Sequence, residues 1–394
     1  GEADGRARME SMEGNFLGLA DVDGQCDVAI LPVPYELTTS YGEGTVDGPQ
    51  ACIAASSQVE LYDPLLPEDL PAGFRLHTAP AWDGEGDSLA EQLANVEAYL
   101  SDYLDGSCFP IVLGGEHGLL PAEMRALRAH PEFAGGEGGD GEGNLSRLTL
   151  VQIDAHADLR DEMNGERASH ACAARRALDE GVGGIIQIGV RAVSREEALF
   201  LAEDGRVECF PARDLLSTCS GERDWNLLQA RLSDIVGPVW LTLDIDGLDG
   251  RLVPNTGTPV PGGLHYWQAV ELIEALFANP ACQVLGTDVV EIVWDGEPLA
   301  QALRTSGMSV EVWDPYVDPA ELPVDLVSPL ASPFESAGFD MAVVVTAHDE
   351  VCDLDWAALA EVARHPLLYD GRRVLDVDAV AQAGWKLYLL GSPF

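Results

Sequence analysis

Short apolar runs rich in Val, Ile and Leu recur through the first three quarters of the chain: CDVAILPVPY (26–35), FPIVLGGEH (109–117), LTLVQIDAH (148–156), GGIIQIGVR (183–191), PVWLTLDID (238–246) and CQVLGTDVVEI (282–292). Polar turns separate them from SLAEQLANVEAYLSDYL, LLPAEMRALRAH, HACAARRALDEG, WNLLQARLSDIV and YWQAVELIEALFA, where apolar residues return every three or four positions. The continuous runs have the length of buried strands, and the three-to-four spacing is the stripe of a helix lying on a sheet. Their alternation predicts an α/β fold: a three-layer αβα domain with a mainly parallel sheet and helices on both faces.

Two stretches break this rhythm. AGGEGGDGEGNLSR, residues 134–147, is Gly-rich and acidic, has little to bury, and reads as a surface insertion. After about residue 295 a second, shorter pattern begins, with SVEVWDPYV and DMAVVVTAHDE as strands, DWAALAEVARHP as a helix and PLLYDGRRVLDV as a strand and turn. A chain of 394 residues exceeds what one core usually supports. The expected organisation is a polar N-terminal segment (1–24), a main domain (25–295) and a smaller C-terminal α/β domain (296–394).

Charge changes the picture more than composition does. There are 67 Asp+Glu against 22 Lys+Arg, a formal net charge of −45. Such a surface repels nucleic acid and anionic membranes, which excludes both as partners, and its field draws a cationic small molecule inward. The acid excess runs along the whole chain, the distribution expected of a halophilic protein, because concentrated salt screens acidic self-repulsion. Eight cysteines without a CxxC pair or tight cluster read as free thiols in a reducing cytoplasm. No apolar run approaches the ~18 residues of a membrane span.

The candidate chemistry lies where apolar runs end. LVQI is followed by Asp154, His156 and Asp158, LTL by Asp244 and Asp246, and IVL by the GGEH that contains His117. Side chains at every second position of an extended segment share a side, so Asp154, His156 and Asp158 converge if the strand continues through them. In parallel α/β sheets, ligands bind at the carboxyl ends of strands. Four carboxylates and two imidazoles gathered there require a compensating cation. Oxygen-rich ligation without thiolate favours a hard divalent ion such as Mn²⁺ over structural zinc. Six ligands with carboxylates able to bridge suggest two Mn²⁺ ions about 3.5 Å apart, with a hydroxide between them.

These motifs, GGEH (114–117), DAHAD (154–158) and DIDGLD with TGTPVPGG (244–263), resemble the signatures of the ureohydrolase family of arginase and agmatinase, in the family's order. The resemblance implies an arginase-like domain in which His117, Asp154, Asp158 and Asp244 hold one Mn²⁺. Asp154, His156, Asp244 and Asp246 would hold the other, with Asp154 and Asp244 bridging. It further implies that Asp158 orients the metal-bridging hydroxide, that His170 in SHACAARRA shuttles a proton, and that Glu291 in DVVEI pairs with a substrate guanidinium. The segment DLRDEMNGERASHA stands where arginases carry an Asn- and Ser-rich stretch, so the likeness is closer to agmatinase. The implied activity is hydrolysis of agmatine to putrescine and urea, in polyamine biosynthesis. Guanidinobutyrase and aminopropylagmatine ureohydrolase activities are the alternatives. Family members form trimers or hexamers, which implies a homo-oligomer.

The last ~90 residues are similar to the C-terminal domain of the UDP-glucose/GDP-mannose dehydrogenase family in VEVWDPYV, TAHDE, LDW, YDGRRVLD and GWKLY. That likeness implies a UDP-sugar partner, with Arg372 as the contact. A GxGxxG dinucleotide site and the middle-domain catalytic cysteine of a dehydrogenase are both absent, so the tail is expected to bind or pack rather than oxidise.

Overall fold

The computed structural model describes all residues except 1–14, 21–24, 85, 87, 134–142, 294–307, 316–326, 337, 346–348, 372–373 and 390–394. Arg372, most of the TAHDE motif, most of the N-terminal segment and most of the Gly-rich insertion therefore lie outside the described residues. The chain divides into two compact units, Gly1–Trp294 and Asp295–Phe394.

The first unit is built on eight parallel strands: β1 (Val28–Val33), β2 (Leu76–Thr78), β3 (Phe109–Gly114), β4 (Thr149–Ile153), β5 (Gly184–Ile188), β6 (Val207–Phe210), β7 (Gly237–Asp244) and β8 (Cys282–Val290), in the order β2-β1-β3-β8-β7-β4-β5-β6. Helices α1 (Gly48–Ser56), α2 (Leu89–Ser101), α3 (Leu120–Leu127), α4 (Ala173–Asp179), α5 (Arg195–Glu203), α6 (Ala212–Leu215), α7 (Gly221–Ser233) and α8 (Tyr266–Ala278) flank it. Because successive side chains on a strand point to opposite faces, each strand feeds two layers. Leu31, Val112 and Leu150 pack with Leu93, Leu120, Met124 and Ala177 of α2, α3 and α4. Val151, Ile153, Ile186 and Leu241 pack with Leu228, Leu232, Leu272 and Leu276 of α7 and α8. Ile30 and Leu113 meet Ile53 of α1 in a smaller cluster. The result is the three-layer αβα arrangement.

Every apolar run singled out above contains a strand, and each three-to-four-spaced stretch contains a helix. Two strands of this eight-stranded sheet had no such signal: β2 and β6 are its edges, short and only partly covered. An edge strand buries little, so its sequence carries little apolar patterning. Helix α5 was also missed, although Ser194 and Glu197 form the reciprocal capping box that marks a helix start, with Ser194 N–H donating to Glu197 Oε2 (2.8 Å) and Glu197 N–H to Ser194 Oγ (3.2 Å).

The second unit holds a three-stranded parallel sheet, β11 (Ala342–Val344), β12 (Leu367–Asp370) and β13 (Lys386–Leu389), and a separate pair, β9 (Glu311–Val312) and β10 (Ser328–Pro329). Val344, Leu359, Leu368 and Trp385 form its core. The indole N–H of Trp385 donates to the Trp356 carbonyl (2.7 Å) at the start of the helix Trp356–Val362.

Candidate metal centre

Four central strands, β3-β8-β7-β4, stand side by side with one row of aligned residues near their carboxyl ends: Leu113, Val289, Leu243 and Ile153. One step beyond that row lie Gly114, Val290, Asp244 and Asp154. The chain crosses from β3 over to β4 and back through β7 and β8, so this edge is the switch point of the sheet, where a parallel α/β fold leaves a crevice. His117, Glu291, Asp246 and the 154–158 segment follow these strands directly.

Asp154, Asp158, Asp244 and Asp246 are all buried, as is His117; His156 is half-buried. His117, Asp154 and Asp158 place one ligand atom each within a single cluster, and Asp154, His156 and Asp246 form a second, so Asp154 belongs to both. His117 Nδ1 is 2.9 Å from Asp158 Oδ2, 3.2 Å from Asp154 Oδ2 and 3.7 Å from Asp244 Oδ2. His156 Nδ1 is 2.9 Å from Asp246 Oδ2. Backbone donors brace the outer oxygens: His156 N–H donates to Asp154 Oδ1 (2.6 Å), Ala155 N–H to Asp246 Oδ1 (3.0 Å) and Asp246 N–H to Asp244 Oδ1 (2.8 Å).

The electrostatics of this cluster call for positive charge. Burial, reinforced by Asp158 and Asp246, pushes Asp154 up to about 7, and burial with Asp246 and Asp154 pushes Asp244 well above the carboxylate range. Burial works against the charged forms of His117 and His156, yet the neighbouring carboxylates outweigh it and raise both, His156 to about 9. Burial also opposes ionisation of Asp246, but the His156 ring holds it below its usual value. Each uncompensated buried carboxylate costs several kcal/mol, and two imidazoles cannot neutralise four. His117 Nδ1 is buried and makes no hydrogen bond of good geometry with the oxygens around it. A lone pair directed at a cation satisfies that atom, and the oxygen-rich set suits hard divalent ions. The residues fit a pair of metal ions.

The convergence of Asp154, His156 and Asp158 does not come from strand alternation as expected. Strand β4 ends at Ile153; His156 still bridges Ala192, but Asp158 takes a left-handed backbone conformation, φ 51°. Glu291 does the same, φ 63°. Such conformations are costly for side chains with a Cβ and persist where surrounding contacts enforce them.

Glu291 Oε1 accepts the His117 backbone N–H (2.9 Å), and burial pushes its carboxyl up to about 8. Its other oxygen lies so close to Gly257 that a Cβ there would meet it at 2.9 Å. His170 takes a different position. It opens the single turn before α4 without capping that helix, and its ring hydrogen bonds go to Thr38 Oγ1 (Nδ1, 3.2 Å), Ser169 Oγ (Nδ1, 3.5 Å) and Ser40 Oγ (Nε2, 3.4 Å). Burial lowers its pKa, while Asp158 acts on it through space.

Several residues that hold the site have no sequence motif to reveal them. Thr38 donates its N–H (2.8 Å) and hydroxyl (3.0 Å) to the buried Glu116 and accepts the His170 N–H (3.0 Å). Glu36 closes the same strap by accepting from Gly44, Thr45 and Val46. Gln152 donates to Asp154 Oδ2 (2.7 Å) and is itself held by Gln187 (2.8 Å). Arg191 donates to the carbonyls of Gly189, Asp246, Leu248, Val260 and Pro261, tying the DIDGLD turn to the TGTPVPGG loop.

The Arginase family model matches residues 26–302, and that of the UDP-glucose/GDP-mannose dehydrogenase family, UDP binding domain, matches residues 297–377. The chain is 32% identical over 272 residues to the N(1)-aminopropylagmatine ureohydrolase of Synechocystis sp., covering 67% of this chain and 81% of that protein. It is 32% identical over 274 residues to the agmatinase of Pyrococcus horikoshii, covering 68% and 84%. The agmatine ureohydrolase of Thermoplasma volcanium superposes with a TM-score of 0.56 at 28% identity, over 69% of this chain and 84% of that one. With the acid-rich carboxyl edge of the sheet and these relatives in agreement, the chain belongs to the arginase family and is an amidino hydrolase.

Proposed function

We propose that His117, Asp154, Asp158 and Asp244 hold one Mn²⁺ and Asp154, His156, Asp244 and Asp246 the other, and that the enzyme hydrolyses agmatine to putrescine and urea. The shared position of Asp154 between the two ligand clusters supports the binuclear part of this reading. When bound, the ions supply Lewis acidity and a nucleophile at neutral pH.

The protein's own groups do the rest. Glu291 has one oxygen engaged by the His117 amide, which leaves the other to accept guanidinium N–H bonds. A bound cation also favours the ionised form of this carboxyl, which burial otherwise raises. Asp158 accepts the proton released from water as oxygen adds to the guanidinium carbon. His170, whose burial keeps it neutral near pH 7, relays a proton to the departing amine as the carbon–nitrogen bond breaks.

One observation carries the choice of substrate. The segment after Asp158 contains two arginines, and both face carboxylates: Arg160 lies 3.9 Å from Glu197, and Arg167 bridges Asp161 (3.0 Å) and Asp179 (3.6 Å). Neither is poised to receive a substrate carboxylate, whereas a substrate with an amine tail suits the acidic surroundings. Urea release after Mn²⁺ loading, compared across agmatine, aminopropylagmatine, arginine and guanidinobutyrate, tests this. Preference for the two amine-tailed substrates is expected; equal rates with guanidinobutyrate would overturn the assignment, and no urea from any would overturn the reaction.

The free state of all eight cysteines supports a reducing cytoplasm, and the acid excess supports work in high salt; a homo-oligomer is expected from the family likeness. Among the described residues no helix is long and apolar enough to cross a membrane. The match over 297–377 supports a second binding function, for a UDP-sugar. Millimolar UDP-glucose should then raise the melting temperature, and no shift would remove that role.

A further inference from the structure

Behind the metal-facing side of His117 lies a chain of buried polar groups. His117 Nε2 meets Thr242 Oγ1 at 3.0 Å, Thr242 donates to Asp288 Oδ1 at 2.7 Å, and the Trp240 indole N–H donates to Asp288 Oδ2 at 2.8 Å. The chain ends on Glu123 of α3. Glu123, Asp288, Thr242 and Trp240 are each 0% exposed. Neither Glu123 oxygen has a hydrogen-bond partner of good geometry; its polar neighbours are the Asp288 carboxyl and the Trp240 indole N–H, whose hydrogen is directed at Asp288 Oδ2 instead.

Two buried carboxyls in contact cannot both be ionised without a cation. Placed on Glu123, a single proton satisfies Glu123 and gives Asp288 three donors, from Glu123, Thr242 and Trp240. Placed on Asp288, it would leave Glu123 a charge with one donor. Thr242, having given its only hydrogen to Asp288, can serve His117 only as an acceptor. When Nδ1 gives up its proton to meet a metal ion, His117 must therefore keep its remaining proton on Nε2, with the Nδ1 lone pair on the side of Asp154 and Asp158.

We propose that Glu123 and Asp288 form a proton-sharing pair, neutral at Glu123 and charged at Asp288, which acts through Thr242 as a positioning device that fixes the metal-binding nitrogen of His117. The functional consequence rests on the metal reading above, whereas the place of the proton does not. Asp288→Asn presents an amide N–H to Thr242, turns the threonine hydroxyl toward Nε2 and moves the histidine proton to Nδ1, where it competes with the metal. Glu123→Gln keeps a neutral donor facing Asp288 and leaves the chain intact.

The test is a buffered Mn²⁺ titration of the full chain with variants at these positions. Asp288→Asn and Thr242→Val should weaken Mn²⁺ binding by about 10- to 100-fold, while Glu123→Gln and Thr242→Ser stay within about threefold of the parent. Equal losses in Glu123→Gln and Asp288→Asn, or unchanged binding in Asp288→Asn, would overturn the proposal. Infrared spectra of the metal-free protein provide a second readout: a protonated-carboxyl C=O band should disappear in Glu123→Gln and persist in Asp288→Asn. Loss of no such band in Glu123→Gln overturns the pair even if the parent takes up no Mn²⁺, and that last result alone overturns only the metal reading.

Discussion

The floor of the site and the strap over it solve the same problem with different materials. The floor, His117 with Asp154, Asp158, Asp244 and Asp246, is buried charge at the ends of central strands, fixed by the register of β3, β8, β7 and β4. The strap, residues 36–46, is a loop held by carboxylates that accept from its own backbone: Glu36 at Gly44 and Val46, Glu116 at Thr38. The floor is assigned to metals and the strap to His170. By that division, damage to one should leave the other intact.

Asp154→Ala should have the largest effect. It removes a carboxylate that belongs to both ligand clusters, so metal analysis should find at least one position empty and urea release should fall to background. His170→Ala should keep both metals and lose turnover by about 100- to 10,000-fold, the range of a lost proton-transfer group. Equal metal loss in the two variants would erase the distinction between floor and strap.

Thr38→Val sharpens the comparison. It removes the hydroxyl that joins Glu116 to His170, so kcat should drop about 10- to 100-fold through misplacement of the ring, with metal content and KM nearly unchanged and Thr38→Ser close to the parent. A metal deficit in Thr38→Val would show that the strap holds the floor as well.

The smallest effect is the pH dependence of the metal-free protein. Asp154 at about 7 and Glu291 at about 8 bind protons more tightly folded than unfolded, where carboxyls titrate near 4. Their contribution is present at low pH and is lost as pH rises from about 4 to about 8. His156, raised to about 9, adds stability that is full below about 6.5 and lost through 9, in the same direction. Metal-free melting temperature should therefore fall between pH 5 and pH 9. Metal binding needs deprotonated ligands, so the gain in melting temperature on adding Mn²⁺ should grow with pH. A flat metal-free profile would mean that the floor carries no unbalanced charge.

The floor was legible in the sequence because its chemistry restricts residue type. Few apolar runs end in DAHAD or DID, and a metal site has no use for substitutes. The strap was not legible, since Thr38, Ser40, Gly42 and Gly44 are residues any loop uses. Their meaning depends on Glu116 and His170, 78 and 132 positions away from Thr38. The same contrast holds for the fold: central strands announce themselves through burial on both faces, while edge strands β2 and β6 are defined by whom they pair with.

By itself the sequence determined the alternation of strand and helix, the carboxyl-edge placement of the acids and the residue types that meet there. Each of these follows from a run of ten or so neighbouring residues. Only the tertiary structure decided that Asp158 reaches the cluster through a left-handed turn rather than strand alternation, and that His170 is held by the strap. It alone placed the carboxyl of Glu123 on that of Asp288, 165 positions later in the chain. Burial and hydrogen-bond satisfaction belong to the packed site, and no local stretch of sequence contains them.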